Sequence, residues 1–211
     1  MTQTIDNVKS QRLKTAYSSK TVEDQKALYR DWAPDFENHT VDKLGWIGYV
    51  PAAREFAKRV TDKSSRILDV GCGTGLSGMA LSEQGFTNID GVDLSPEMLA
   101  LAKDREIYNS LGTADLTKPI EVDAPYDAVF SSGVFGFGPP YPEHIKNTLD
   151  VLKPGGIAVH TVNGAGWQDA NWEEKLANVI KSQSLELIEK SEIAYLEKEG
   201  INGVLLVFRA N

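Results

Sequence analysis

The chain has 211 residues, enough for one α/β domain with a short appendage. Its formal net charge of −8 argues against a nucleic-acid partner, because phosphate backbones are held through Lys and Arg; solubility is the plain meaning of the acidity. No run of about 18 apolar residues is present to span a membrane, and the lone cysteine, Cys72, allows no internal disulfide, which fits a reducing compartment.

The opening MTQTIDNVKSQRLK is polar and lacks the apolar stretch of a secretory signal, so the expectation is a cytoplasmic protein. Residues 1–20 are weakly patterned and are expected to fray. Thr21 and Asp24 have the spacing of a capping box, and Ala27, Leu28 and Trp32 continue an apolar helix face. Pro51 is expected to open a second helix carrying Ala53, Phe56, Ala57 and Val60.

From Arg66 the pattern changes. Ile67–Val70 reads as a short buried strand, followed by a helix with Leu76, Met79 and Ala80. Ile89–Asp93 is a second strand, after which Ser95 caps a helix with Pro96 in its first position. Tyr108–Ala114 and Tyr126–Ser131 are expected as strands three and four. Pro142 starts a helix with Ile145, Leu149 and Leu152 on one face, and Ile157–Val162 is strand five. Strands alternating with helices imply a parallel sheet with right-handed crossovers. After a helix with Trp172, Leu176, Val179 and Ile180, Leu185–Tyr195 and Val204–Phe208 read as a hairpin at the sheet edge, joined by the loop Glu197–Gly203. The expected division is a helical cap segment, 1–62, packed on a nucleotide-binding domain, 63–211.

The sharpest chemical signal is Leu68-Asp69-Val70-Gly71-Cys72-Gly73-Thr74-Gly75, a strand, a glycine turn and a helix start. Glycines there let a ligand approach the backbone closely. The third glycine falls one residue early for a dinucleotide fingerprint, and Leu76 takes its place. A carboxylate at Asp69 favours a cationic ligand over a pyrophosphate, or else only orders the turn. Asp93 ends the next strand, eighteen positions beyond Gly75, where an acid accepts both ribose hydroxyls. Asp115 ends strand three and can take an adenine amino hydrogen, with Leu94, Met98 and Leu116 around the ring. Leu152-Lys153-Pro154-Gly155-Gly156 is a helix stop and turn. With three histidines and one cysteine dispersed along the chain, no metal-ligand set is visible.

These motifs (DVGCGTG, GVDLSPEML, the acid of TADL, YDAVFSSGV and LKPGG, in that order) resemble the class I S-adenosylmethionine-dependent methyltransferases over residues 66–162. The segment Tyr29-Arg30-Asp31-Trp32-Ala33-Pro34-Asp35-Phe36 is similar to the entry segment of the Williams-Beuren-region methyltransferase-like proteins, as is GFTNIDGVDLSPEMLALAK. Arg30 stands where an aspartate is usual, and Phe36 where a tyrosine is. The resemblance implies a doubly wound, mostly parallel seven-stranded sheet in the order 3-2-1-4-5-7-6, strand 7 antiparallel, with N-terminal helices closing over S-adenosyl-L-methionine. Carried over by position, Gly71, Cys72, Gly73 and Gly75 face the cofactor's amino-acid part. Asp93 holds the ribose, Asp115 the adenine, Ser131 lies near the methionine end, and Tyr29 and Trp32 cover the site.

Methyl transfer from a sulfonium needs alignment and water exclusion more than covalent help. Where a base is required, His144 and Tyr141 are the candidates beside the expected mouth. His39 lies in the cap, and His160 alternates within strand five as a buried residue. A substrate wall is expected from His39, Trp46, Tyr49, Phe135 and Phe137, joined by Tyr29, Trp32 and Tyr141, which suits an apolar or aromatic small-molecule acceptor. A protein or peptide methyltransferase and a cofactor-binding module without turnover stand as alternatives.

Overall fold

The computed structural model describes residues 8–169, 171–182 and 185–211; the first seven residues of the segment expected to fray lie outside them. The strands are β1 (Ile67–Val70), β2 (Ile89–Asp93), β3 (Ser110–Thr113), β4 (Tyr126–Phe135), β5 (Leu152–Asn163), β6 (Leu185–Leu196) and β7 (Ile201–Ala210). They form one sheet in the order β3-β2-β1-β4-β5-β7-β6. β1 to β5 pair in parallel, and β7 runs antiparallel to both of its neighbours. All four residues of β1 are buried, as expected of a central parallel strand covered on both faces.

The helices are α1 (Gln11–Ser18), α2 (Val22–Trp32), α3 (Tyr49–Arg59), α4 (Leu76–Glu83), α5 (Pro96–Lys103), α6 (Ile145–Leu149), α7 (Gly164–Asp169) and α8 (Trp172–Ser182). The capping box closes at the start of α2, where Thr21 Oγ1 accepts from the Asp24 N–H at 3.0 Å and Asp24 accepts from the Thr21 N–H at 3.1 Å. Ser95 caps α5 with Pro96 in its first turn.

Three apolar clusters hold these layers together. On one sheet face, Ala52, Ala53 and Phe56 of α3 and Leu76 and Ala80 of α4 pack against Ile67, Phe130 and Val159. On the other face, Ile145 and Leu149 of α6 and Trp172 and Leu176 of α8 pack against Leu68, Val129, Ala158 and Phe208. Full burial of each such large side chain contributes roughly 1.5–3 kcal/mol. The third cluster joins Leu13, Trp32 and Leu44 to Tyr195, Leu196 and Ile201, clamping the N-terminal helices to the β6–β7 turn. α3 packs directly on the sheet.

Several boundaries differ from the sequence reading. Part of the segment expected to fray forms α1, because Ser10 Oγ accepts from the Leu13 N–H at 3.3 Å and Leu13 is buried. β3 is shorter than 108–114, since Tyr108 leaves the strand and turns its ring beneath the sheet's helical layer. β4 runs past Ser131 to Phe135 through an irregularity in its pairing with β5. Leu152 does not finish a helix but opens β5 opposite Tyr126. α7 was not foreseen; Asn163 caps it, its Oδ1 accepting from the Ala165 and Gly166 N–H groups at 3.0 and 3.3 Å. β7 begins at Ile201, because Gly200 at φ 67° closes the turn within a few residues.

Candidate active site

The C-terminal ends of β1, β2 and β4 open onto a cavity of about 780 Å³, counting its mouth. In open α/β sheets this is the ligand-binding end. The floor is the turn after β1. Gly71 has φ 70°, and a Cβ there would stand 2.0 Å from Val134 Cγ2, so no side chain fits. Gly73 has φ 54° with open space where a Cβ would point. The backbone is therefore bare toward the cavity at this point. Asp93 Oδ2 accepts from the Gly73 N–H at 2.8 Å and Oδ1 from the Ser95 N–H at 2.9 Å. Those two bonds fix the carboxylate at the wall, although burial raises its pKa. Leu94, Met98 and Leu116 line the same cavity, beside Thr117.

The other wall comes from the N-terminal segment and from β4. Past Ser131 the strand bends, so that Ser132, Gly133 and Val134 reach the cavity. Val22, Gln25, Tyr29, Phe36 and Trp46 close it from the opposite side. Gln25, Tyr29, Phe36, Trp46, Gly133 and Val134 also line a second cavity of about 680 Å³. The remaining wall of that cavity includes Leu13, Tyr17, Trp32, Phe135, Phe137 and Tyr195. The two spaces meet at an aromatic junction. Tyr29 and Phe36 lie 6.3 Å apart between ring centroids and edge to face, as do Phe36 and Trp46.

Of the expected cofactor residues, Gly71, Cys72, Gly73, Asp93, Leu94, Met98, Leu116 and Tyr29 come together around the first cavity. Asp69 does not. It is fully buried under α4, where its Oδ2 accepts from Ser77 Oγ at 2.6 Å and Tyr108 OH at 2.7 Å; strand alternation points it at the helical layer. Gly75, at φ 90°, starts α4 outside the wall. Asp115 is turned into its own loop, accepting from the Thr117 N–H and hydroxyl at 3.0 and 2.6 Å, so Leu116 and Thr117 reach the cavity instead. Ser131 is buried one residue short of the bend, and Ser132 takes its place. Trp32 lines the second cavity, not the first.

Of the expected acceptor residues, Trp46, Phe135 and Phe137 line the second cavity. Tyr49 is buried in the core beside Trp46. His39 stands behind Trp32 and meets Ser10 Oγ at 3.3 Å. The proposed base pair is not at either wall. His144 Nδ1 accepts the Tyr141 N–H at 2.9 Å, capping the turn before α6, and Tyr141 OH donates to the Lys20 carbonyl at 3.3 Å. His160 is buried against Thr148 Oγ1 at 2.6 Å, and burial pushes its pKa down to about 3. Sequence reasoning missed Gln25, Val134, Tyr17, Asn163 and Tyr195. Gln25 had a signal, as a polar residue on the buried face of an otherwise well-capped helix.

Residues 67–156 match the family model described as a methyltransferase domain. Over those residues the chain carries a methyltransferase domain. The cofactor of that family is S-adenosylmethionine, and the first cavity fits it, with a bare glycine turn, a fixed acid at the end of β2 and an apolar slot beside it. The chain is 31% identical over 161 residues to methyltransferase-like protein 27 of Homo sapiens, covering 71% of this chain and 62% of that protein. It is 32% identical over 113 residues to the ubiquinone biosynthesis O-methyltransferase of Xylella fastidiosa (strain 9a5c), covering 51% and 46%. A shorter match, 46% over 59 residues, is to the 18S rRNA (guanine-N(7))-methyltransferase of Bos taurus, covering 28% and 21%. The chain thus spans 62% and 46% of the first two relatives' lengths. Among solved structures, a TehB-like S-adenosylmethionine-dependent methyltransferase from Corynebacterium glutamicum superposes with a TM-score of 0.63 at 24% identity, covering 88% of this chain and 99% of that one.

Proposed function

We propose that the chain transfers a methyl group from S-adenosylmethionine, held in the first cavity, to a small apolar or aromatic molecule held in the second. The observation that carries this reading is the meeting of the two cavities at one shared wall of Gln25, Tyr29, Phe36, Trp46, Gly133 and Val134. A donor and an acceptor in these spaces face each other across a junction lined mainly by rings, which excludes water and holds the reacting atoms in line. When bound, the cofactor supplies the activated methyl group, leaving as a neutral thioether. Asp93 accepts from the ribose hydroxyls, the glycine turn admits the amino-acid part, and Leu94, Met98 and Leu116 surround the adenine. Tyr29, Phe36 and Trp46 line the cavity where a positive sulfur would be held, and a ring face met by it gives a favourable cation–π contact.

Leu13 and Tyr17 of α1 and Gln25, Tyr29 and Trp32 of α2 form one wall of the acceptor cavity, and a concave space of this kind suits a small molecule better than a polymer. The net charge of −8 adds repulsion against RNA. Calorimetric titration with S-adenosylmethionine, S-adenosylhomocysteine and NADH tests the cofactor site. The first two bind and NADH does not, and Asp93→Ala weakens S-adenosylhomocysteine binding by about 2 kcal/mol, the scale of a charge-assisted hydrogen bond. Unchanged affinity in that variant removes the ribose role from Asp93.

A further inference from the structure

We propose that the acceptor is an uncharged, ring-sized molecule that receives the methyl group on a neutral nitrogen. The proposal rests on the reading above, in which the second cavity holds the acceptor. Its first support is the charge of the wall. Among the described residues no Asp, Glu, Lys, Arg or His lines the second cavity. Its polar groups are the side chains of Tyr17, Gln25, Tyr29, Thr40, Asn163 and Tyr195 and the indole N–H groups of Trp32 and Trp46, all uncharged. An acceptor bearing a carboxylate or phosphate would shed its water there without a counter-charge, which is costly.

The second support is the lack of a proton acceptor in the described wall. Asn163 is committed on both ends, its Nδ2 donating to Tyr17 OH at 2.6 Å and its Oδ1 accepting from α7. Burial raises the pKa of Tyr17 and Tyr195, and burial together with the Asp93 charge pushes Tyr29 up to about 12. These hydroxyls stay protonated at neutral pH and act as donors. An alcohol or phenol brought here finds no group to take its proton, so the nucleophile must arrive with a free lone pair.

The third support chooses between a neutral nitrogen and a thiolate. The rings of Tyr29, Phe36 and Trp46 meet at the junction, and Asp93 lies near enough to raise the Tyr29 pKa. An anion approaching there is repelled, whereas a cation is held. With a neutral nitrogen, the lone pair forms the new N–C bond as the S–C bond breaks, and that bond's electron pair leaves on sulfur. The positive charge moves from sulfur to nitrogen and stays within the rings. A primary or secondary amine leaves as the protonated ammonium, and a ring nitrogen leaves as a quaternary cation.

The test uses the full chain saturated with S-adenosylhomocysteine, which fills the first cavity. It is titrated with N-methylisoquinolinium and with 2-naphthoate, bicyclic probes that differ in charge. The cation is expected to bind at least about tenfold more tightly, and Trp46→Leu is expected to shrink that ratio. Absence of a preference for the cation, whether both probes bind or neither does, overturns the proposal. In turnover with S-adenosylmethionine, methylation of 2-naphthol or 2-naphthalenethiol faster than isoquinoline also overturns it. Failure of S-adenosylhomocysteine itself to bind is a different result: it refutes the cofactor reading on which the proposal rests.

Discussion

Asp69 accepts two hydrogen bonds on Oδ2, from Ser77 and Tyr108, while its Oδ1 has no hydrogen-bonding partner among the described residues. Burial pushes its pKa from an ordinary 3.8 up to about 7, because a carboxylate there has lost its water. The native state thus holds a proton on Asp69 that the unfolded chain releases near pH 3.8. Wherever the native state binds more protons, stability falls as pH rises. The contribution is fully present below 3.8 and is lost through about 7. His160 acts in the opposite sense, since its folded pKa of about 3 means that stability is lost as the pH falls from its ordinary 6.5. A comparison with Asp69→Asn isolates the first effect. Thermal melts across pH 4–8 are expected to show the wild-type chain losing stability relative to the variant as pH rises; parallel curves would mean that Asp69 does not titrate in this range. The sequence already offered the two roles for this residue, ligand contact or turn support. It could not choose between them, because the deciding partner, Tyr108, lies 39 residues away and had been placed in a strand. By contrast Asp93, Leu94 and Leu116 were legible as cavity wall, since each sits at or just past a strand end set by local patterning, and Met98 follows from the capped start of α5.

Elements, too, were easiest to read where their signals are local. β1, β2 and the capped starts of α2 and α5 follow from buried runs and capping residues. The departures come from tertiary pairing. β4 is extended by its pairing with β5, and that extension carries Ser132, Gly133 and Val134 to the site in place of Ser131. α1, part of a segment expected to fray, brings Leu13 and Tyr17 to the second cavity, where Tyr17 stacks on Phe137 at 4.1 Å. One contact between elements has a direct consequence for the cofactor. Arg105, just after α5, donates from Nε to the Thr74 carbonyl of the glycine turn at 2.6 Å and pairs through Nη2 with Glu37, beyond α2. It ties the glycine turn on one side of the first cavity to the N-terminal segment on the other. Arg105→Ala removes both contacts and is expected to weaken S-adenosylhomocysteine binding by about tenfold, or ~1.5 kcal/mol, read by calorimetry. Glu37→Gln loses only a half-exposed ion pair and should cost less. Equal losses in the two variants would mean that the Thr74 bond contributes nothing.

At the scale of the whole molecule, the N-terminal segment is held differently from the sheet it covers. The sheet is sandwiched between two helical layers with fully buried Ile67, Phe130, Val159 and Phe208. The segment from α1 to Trp46 rests instead on a smaller cluster against Tyr195, Leu196 and Ile201, and leaves two cavities between itself and the sheet. Local opening of a protein starts where few apolar contacts must break, so this segment opens at lower free energy than the sheet. A ligand that bridges segment and sheet must then suppress that opening, because it binds only the closed arrangement. Amide hydrogen exchange provides the measurement. Saturation with S-adenosylhomocysteine is expected to slow exchange in α2 and through residues 33–46, whose Tyr29, Phe36 and Trp46 face the first cavity. Exchange in the middle of β5 and β7, residues 157–161 and 205–208, which line neither cavity, should hardly change. Filling the second cavity with an acceptor-like cation should extend the protection to α1, since Leu13 and Tyr17 line that cavity alone. Uniform slowing across sheet and segment would instead mean that the ligand stabilises the fold as one unit, and that the N-terminal helices are a fixed wall and not a cover that opens for exchange of donor and acceptor.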